Sequence, residues 1–195
     1  MKIEGIRELR KSLRVKTEKM PQAVSRALNR TGQGVVTEAT RKVREMYSIK
    51  AQEVKAAMRI TLSSPQAGEV EVTAKGGSLP LTRFKVTPRQ PTPGRRSRPV
   101  KAAVRLGQSK TVSRAFVARL GSGHVGVYKR KFPGVTRARP KNAKGDRPEL
   151  PIEELHAPAV PVMLGSREVV QHVIEETERR MTDRLDHEIG RIMGR

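Results

Sequence analysis

The chain has 195 residues, a hydrophobic fraction of 35% and an aromatic fraction of 3%, enough for a modest core and for stability shared with partners or with further copies of itself. A formal net charge of +22 and a pI near 11.3 favour a polyanionic neighbour, nucleic acid or an acidic protein surface. No apolar run approaches a membrane span, the N-terminus lacks a signal-peptide core, and the absence of cysteine excludes disulfides, thiolate zinc sites and a cysteine nucleophile, as expected of a protein of the reducing cytoplasm.

The first third reads as helix. Ile6, Leu9, Leu13, Met20, Val24, Ala27 and Leu28 recur mostly at three- and four-residue spacings. Pro21 suits the first turn of a new helix. Gly32 and Gly34 loosen the pattern, which resumes through Val35, Val36, Ala39, Val43 and Met46, with small residues that suit close helix packing. A short helix after Ser48 is expected to turn Val54, Ala57 and Met58 inward.

The period then changes to two. GEVEVTA (68–74), SLPLTRFKV (78–86), KAAVRLG (101–107), and the pair AFVARL and HVGVYKR predict four or five short antiparallel strands. Gly121, Ser122 and Gly123 supply hairpin chemistry between the last two. From Val72 through Gly145 there is no Asp or Glu across 74 positions, which carry 19 Lys and Arg. Residues 146–195 hold 11 acidic and 7 basic residues, so the excess positive charge is central. Thr87–Pro99, with four prolines and four arginines, predicts an exposed arm. Two readings stand side by side: a solvated basic stretch, or a surface facing a polyanion. On the second, Arg95, Arg96, Arg98, Lys129, Arg130, Lys131, Arg137 and Arg139 are the candidate contacts to DNA or to an acidic partner. Nothing points to sequence-specific readout, because neither zinc-finger spacing nor a ribonucleoprotein aromatic motif is present.

The segment LPIEELHAPAVPVML (150–164) is apolar, yet three prolines forbid an uninterrupted helix and disfavour a central strand. It reads as a stiffened connector, crossing its own domain's core or lying against another subunit. Beyond it, Ser166 can cap a helix with Glu168 near its positive end. Val169, Val170, Val173, Ile174, Met181, Leu185, Ile189 and Ile192 form its apolar stripe. Candidate subunit or partner contacts are Ile152, Leu155, Val160, Leu164, Val173, Met181, Leu185 and Ile189. The order helices, sheet, helix predicts a single α+β domain over 1–195. Its parts are a helical part (1–62), a strand-rich basic part (68–132) with the arm 87–99, a proline-rich connector (133–165) and a C-terminal helix (166–193).

Catalytic signatures are missing. His172 and His187 are fifteen apart, His124 lies in a Gly-His-x-Gly turn better suited to fixing a hairpin, and Asp183, Asp186 and Glu188 suit a solvated helix face. There is no phosphate loop, GxSxG or HExxH, and an acid-free middle disfavours a metal-dependent nuclease. No catalytic residue, metal or cofactor is expected.

Three motifs in order, SLPLTRFKV (78–86), AFVARLGSGHVGVYKR (115–130) and LPIEELHAPAVPVML followed by an amphipathic helix, resemble the minor tail protein Z family of tailed phages and prophages, also described as tail completion proteins. The family-like positions are Leu79, Pro80, Leu81, Phe84, Ala115, Phe116, Gly123, His124, Gly126, Val127, Arg130, Leu150, Pro151, Ile152, Leu155, Pro158, Val160, Pro161 and Leu164. Where the pattern leads one to expect a small run such as Gly-Pro-Ser, this chain has Ala157, Pro158 and Ala159. The resemblance implies a non-enzymatic virion protein at the head-proximal end of the tail, made in the host cytoplasm. It would complete tails so that they join heads and pass DNA, touching other neck and tail proteins and the genome. A homo-oligomeric ring follows from the same family context, with a hexamer matching common tail symmetry. The other reading is a cytoplasmic nucleic-acid-binding protein without sequence preference.

Overall fold

The computed structural model describes residues 4–91, 99–131 and 151–194, with side chains from residue 17 onward. In chain order the elements are α1 (Glu4–Met46), α2 (Ala51–Ala56), β1 (Met58–Thr61), β2 (Glu71–Ala74) and β3 (Leu79–Pro80). A 3-10 turn (Leu81–Arg83) leads to β4 (Lys85–Thr87), β5 (Val100–Ala103), β6 (Lys110–Val112), β7 (Ala115–Arg119) and β8 (Val125–Arg130). The chain continues with β9 (Ile152–Glu154), β10 (His156–Ala157), α3 (Val160–Leu164) and α4 (Arg167–Met193). This is an α+β fold of small antiparallel sheets with a long C-terminal helix. It divides into two compact units.

The helical unit comprises Met1–Val43, Ala51–Gly76 and Val160–Arg195. In it α1 and α4 run antiparallel, because partners descend α4 as they ascend α1. Arg26 bonds Glu188, Thr31 meets the Met181 sulfur at 3.7 Å, and Glu38 bonds Arg180. Small residues on α1 (Ala23, Ser25, Ala27, Thr31, Ala39) are buried there and bring the backbones close. A Cβ on Gly32 would stand 3.0 Å from the side chains of Ile60 and Val70, and one on Gly34 3.2 Å from that of Arg180. These glycines therefore mark close packing against β1, the approach to β2, and α4. Pairing of Met58–Thr61 with Glu71–Ala74 makes a two-stranded ribbon. Its end is clamped to α1: Asn29 Oδ1 accepts from the Ser63 N–H at 2.6 Å, while Asn29 Nδ2 and Ser25 Oγ both donate to the Ser63 carbonyl.

α1 runs through Pro21 rather than restarting at it. Pro21 is exposed, where the one ladder bond that proline forgoes is cheapest to lose. Met58 opens β1 instead of closing a helix, because α2 stops at Ala56 and the chain turns into the ribbon. Ser166 precedes α4, but its hydroxyl caps nothing; its carbonyl accepts the N–H groups of Val169 and Val170. The apolar stripe of α4 splits: Val169 is buried, whereas Val170, Ile174 and Ile189 are exposed. Much of the inward face is charged. Glu188, expected in solvent, is 1% exposed and accepts from Arg26 Nε at 2.8 Å. Glu38, 6% exposed, takes Arg180 at 2.5 Å and Arg41 at 2.7 Å, with His172 Nε2 at 3.6 Å. Burying such carboxylates is tolerable only because guanidinium donors accompany them.

The strand unit comprises Arg44–Lys50 and Gly77–Ala159. Its sheets have the orders β10-β3, β4-β5-β6 and β7-β8-β9, all antiparallel. Residues 46–48 lie along 104–106, with Ser48 N–H donating to Val104 O and Leu106 N–H to Met46 O. Tyr47, Ile49, Leu81, Phe84, Val86, Val100, Val127 and Tyr128 are buried. The β7–β8 hairpin turns as expected: Gly123 sits at φ 83°, and the Leu120 N–H donates to the His124 carbonyl at 2.8 Å. More strands form than the four or five expected. β1, β6, β9 and β10 have two to four residues each, too short to declare themselves by alternation.

Candidate anion-binding cleft and the strand junction beside it

The three motifs of the sequence meet around β8 and β3. β8 pairs with β7 through Ala115↔Lys129 to Arg119↔Val125, and with β9 through Tyr128↔Glu154 to Arg130↔Ile152. Beyond β9, the Leu155 N–H donates to Val127 O at 2.8 Å, and the Leu155 carbonyl accepts from the Leu81 N–H at 3.0 Å. His156 and Ala157 then pair with Pro80 and Leu79. The proline-rich segment is thus an edge strand on β8, then a partner of β3, and finally the short helix α3. Proline is tolerated at each step, since Pro151 precedes the edge strand and Pro161 falls in the first turn of a helix.

Alternation along β8 separates two faces. On one, His124 Nε2 lies 2.9 Å from Glu154 Oε1, so the histidine pins the hairpin to β9. A Cβ on Gly126 would stand 2.7 Å from both Glu154 Oε1 and the Tyr128 hydroxyl oxygen, so a larger residue there would have to displace the Glu154 carboxylate and the buried Tyr128 ring. The Tyr128 hydroxyl is buried without a hydrogen-bond partner. Burial first, and the Glu154 charge second, push this phenol's pKa up.

Val125 and Val127, on the other face, line a cleft of about 430 Å³. Ile49, Phe84, Val86, Pro88 and Val117 add to its apolar lining. Cationic side chains come from three places: Arg44 and Lys50 flanking the end of α1, Arg83 and Lys85 around the 3-10 turn, and Arg89 after β4. None of the described residues lining it is acidic. The Ser48 hydroxyl at the cleft holds its walls together, donating to Ala103 O and accepting from the Lys85 N–H at 3.2 Å. Gln90 accepts from Arg119 Nη2 at 3.4 Å. Several cations and several apolar side chains lining one cleft favour a ligand that is anionic and partly apolar.

The candidate residues fall in different places. Arg95, Arg96, Arg98, Arg137 and Arg139, and Leu150 of the third motif, lie outside the described residues. Lys129, Arg130 and Lys131 are exposed at the end of β8, and Lys129 stands opposite Glu153. They do not line the cleft. Ile152 and Leu155 are half-buried in the strand unit, whereas Val160 is buried and Leu164 half-buried in α3. On α4, Val173, Met181 and Leu185 are half-buried, and Ile189 is 40% exposed. The cleft cations Arg44, Lys50, Arg83, Lys85 and Arg89 were missed by sequence reasoning. The alternation Arg83–Phe84–Lys85 hinted at them, but Arg44 and Lys50 join only once residues 46–48 lie along the strand of residues 104–106.

Among the described residues no group of three His, Asp or Glu is placed to hold a metal. No helix is long and apolar enough to cross a membrane, among the residues described. The described residues thus form an α+β protein with small antiparallel sheets, a charged helix pair and a cationic cleft. Residues 3–194 match the sequence pattern of prophage minor tail protein Z (GPZ), and the chain belongs to that family of phage tail structural proteins. No curated protein and no solved structure matches the chain.

Proposed function

We propose that this tail protein completes the tail at its head-proximal end, in the neck where head and tail join, and that it does so as a homo-oligomeric ring around the DNA passage. The family match across residues 3–194 carries this reading. The charge supports it: a ring around DNA, or beside an acidic neck protein, gains from an acid-free window of 74 residues with 19 cations. Lys129, Arg130 and Lys131, with the arm arginines Arg95, Arg96 and Arg98 and with Arg137 and Arg139, would face that polyanion. Ile189 and the neighbouring exposed apolar residues of α4 would face other subunits. The role is assembly, not catalysis.

The test is to disrupt the gene in the phage that carries it and to image the lysate by electron microscopy. Filled heads beside unjoined tails are expected; intact virions, or the absence of any tails, would count against the proposal. The charge alone also favours a cytoplasmic nucleic-acid-binding protein. Light scattering with and without duplex separates the two, since that reading requires a monomer that binds duplex with a steep salt dependence.

A further inference from the structure

The cleft of the strand unit has a chemistry that DNA does not match. From its shape and lining we infer that it is a docking site for an acidic peptide segment of a neighbouring protein, one that carries an aliphatic side chain between its carboxylates. The partner's origin rests on the tail-protein reading above; the chemistry of the cleft stands on its own.

Size is the first argument. A cavity of about 430 Å³ holds a few side chains, within the usual range for small ligands, and is far too small to admit a duplex. The floor is the second. Val117 and Val125 in the lining are half-buried aliphatic residues whose side chains stay partly open to a ligand, and a phosphate group has no apolar part to lay on them. Single-stranded nucleic acid would need an aromatic face for stacking, but Phe84, the one aromatic among the described residues of the lining, is only 3% exposed. The rim is the third. Lys50, Lys85 and Arg89 line the same cleft and are exposed, so carboxylates flanking an aliphatic anchor would have cations to meet. A purely anionic ligand would satisfy the rim and leave the floor wet, whereas a purely apolar one would bury the rim cations without a counter-charge. Alternating acidic and aliphatic residues satisfy both.

The test uses the full chain and fluorescence anisotropy of a short labelled peptide alternating Glu and Leu. A Glu/Ala peptide of the same charge, a single-stranded thymidine oligonucleotide and a duplex are the comparison ligands. Saturable binding of the Glu/Leu peptide is expected, about tenfold tighter than the Glu/Ala peptide. Lys50→Glu and Arg89→Glu are expected to weaken it about tenfold each, while Lys110→Glu, an equal charge change on exposed β6, leaves it within about twofold. Thermal melts confirm that these exposed substitutions leave the fold intact. Equal affinity for the two peptides, equal loss with Lys110→Glu, or displacement of the peptide from the cleft by either nucleic acid would overturn the inference. Failure of peptide binding leaves the head-joining experiment unaffected, and the reverse holds as well.

Discussion

Arg26 Nε donates to Glu188 Oε2 at 2.8 Å, joining positions 162 residues apart in sequence and fastening the C-terminal end of α4 to α1. The guanidinium is partly open to solvent while the carboxylate is almost entirely enclosed. The pair is therefore asymmetric: losing the arginine leaves a buried charge whose nearest remaining counter-ion is Arg191 at 3.6 Å.

Arg26→Ala is accordingly expected to destabilise the helical unit by about 1–3 kcal/mol, the cost of stranding a buried carboxylate. The Arg26 hydrogen bond, then the charges of Arg26, Arg191 and Arg30, hold the Glu188 pKa below its ordinary value, against the opposing effect of burial. A carboxyl with a depressed folded pKa binds fewer protons folded than unfolded. Its contribution is complete above the unfolded value of about 4.3 and is lost as pH falls through the folded one. Urea midpoints measured from about pH 6 down to 3 should fall in the native protein and fall less in Arg26→Ala.

Gly126→Ala and Tyr128→Phe should act in opposite senses. The alanine methyl would stand 2.7 Å from Glu154 Oε1 and the Tyr128 oxygen, and overpacking of this kind costs about 1–3 kcal/mol. Removing the Tyr128 hydroxyl discards a buried group without a partner, so Tyr128→Phe is expected to be neutral or stabilising by up to about 1 kcal/mol. Thermal denaturation of the two variants checks both signs.

Val160→Asp places a charge where the side chain is 2% exposed, and should cost about 3 kcal/mol or more, enough to prevent folding. Leu155→Asp is milder, because Leu155 is half-buried and contributes chiefly through its backbone bonds to Val127 and Leu81, which a substitution retains. Soluble yield and circular dichroism should rank Val160→Asp well below Leu155→Asp.

If the end of β8 faces DNA, replacing Lys129, Arg130 and Lys131 together by alanine should reduce the slope of log affinity against log salt by about 2–3 in duplex binding, roughly one for each phosphate these side chains neutralise. An unchanged slope would remove these three from the DNA-facing set.

The long-period features were legible in the sequence: the helical first third, the α4 helix and the β7–β8 hairpin each extend over enough residues for periodicity or turn chemistry to speak. Two kinds of feature were not. Strands of two or three residues, such as β3 and β10, exist because Leu155 bridges β8 and the Leu81 turn, a tertiary arrangement with no local pattern. Glu188 has the sequence surroundings of a solvated helix residue and is buried only because Arg26 arrives from the far end of the chain. The cleft shows the same limit. Its cations are ordinary surface residues in sequence, and converge only when residues 44–50 and 83–89 are brought together.

The role in tail completion is tested most directly by a reconstruction of the intact virion at a resolution that traces side chains. The expected result is several copies of this chain encircling the DNA passage at the head-proximal end of the tail, with Lys129, Arg130 and Lys131 towards DNA or an acidic neighbour. Density for the chain at the distal end of the tail, or its absence from the virion, would contradict that role.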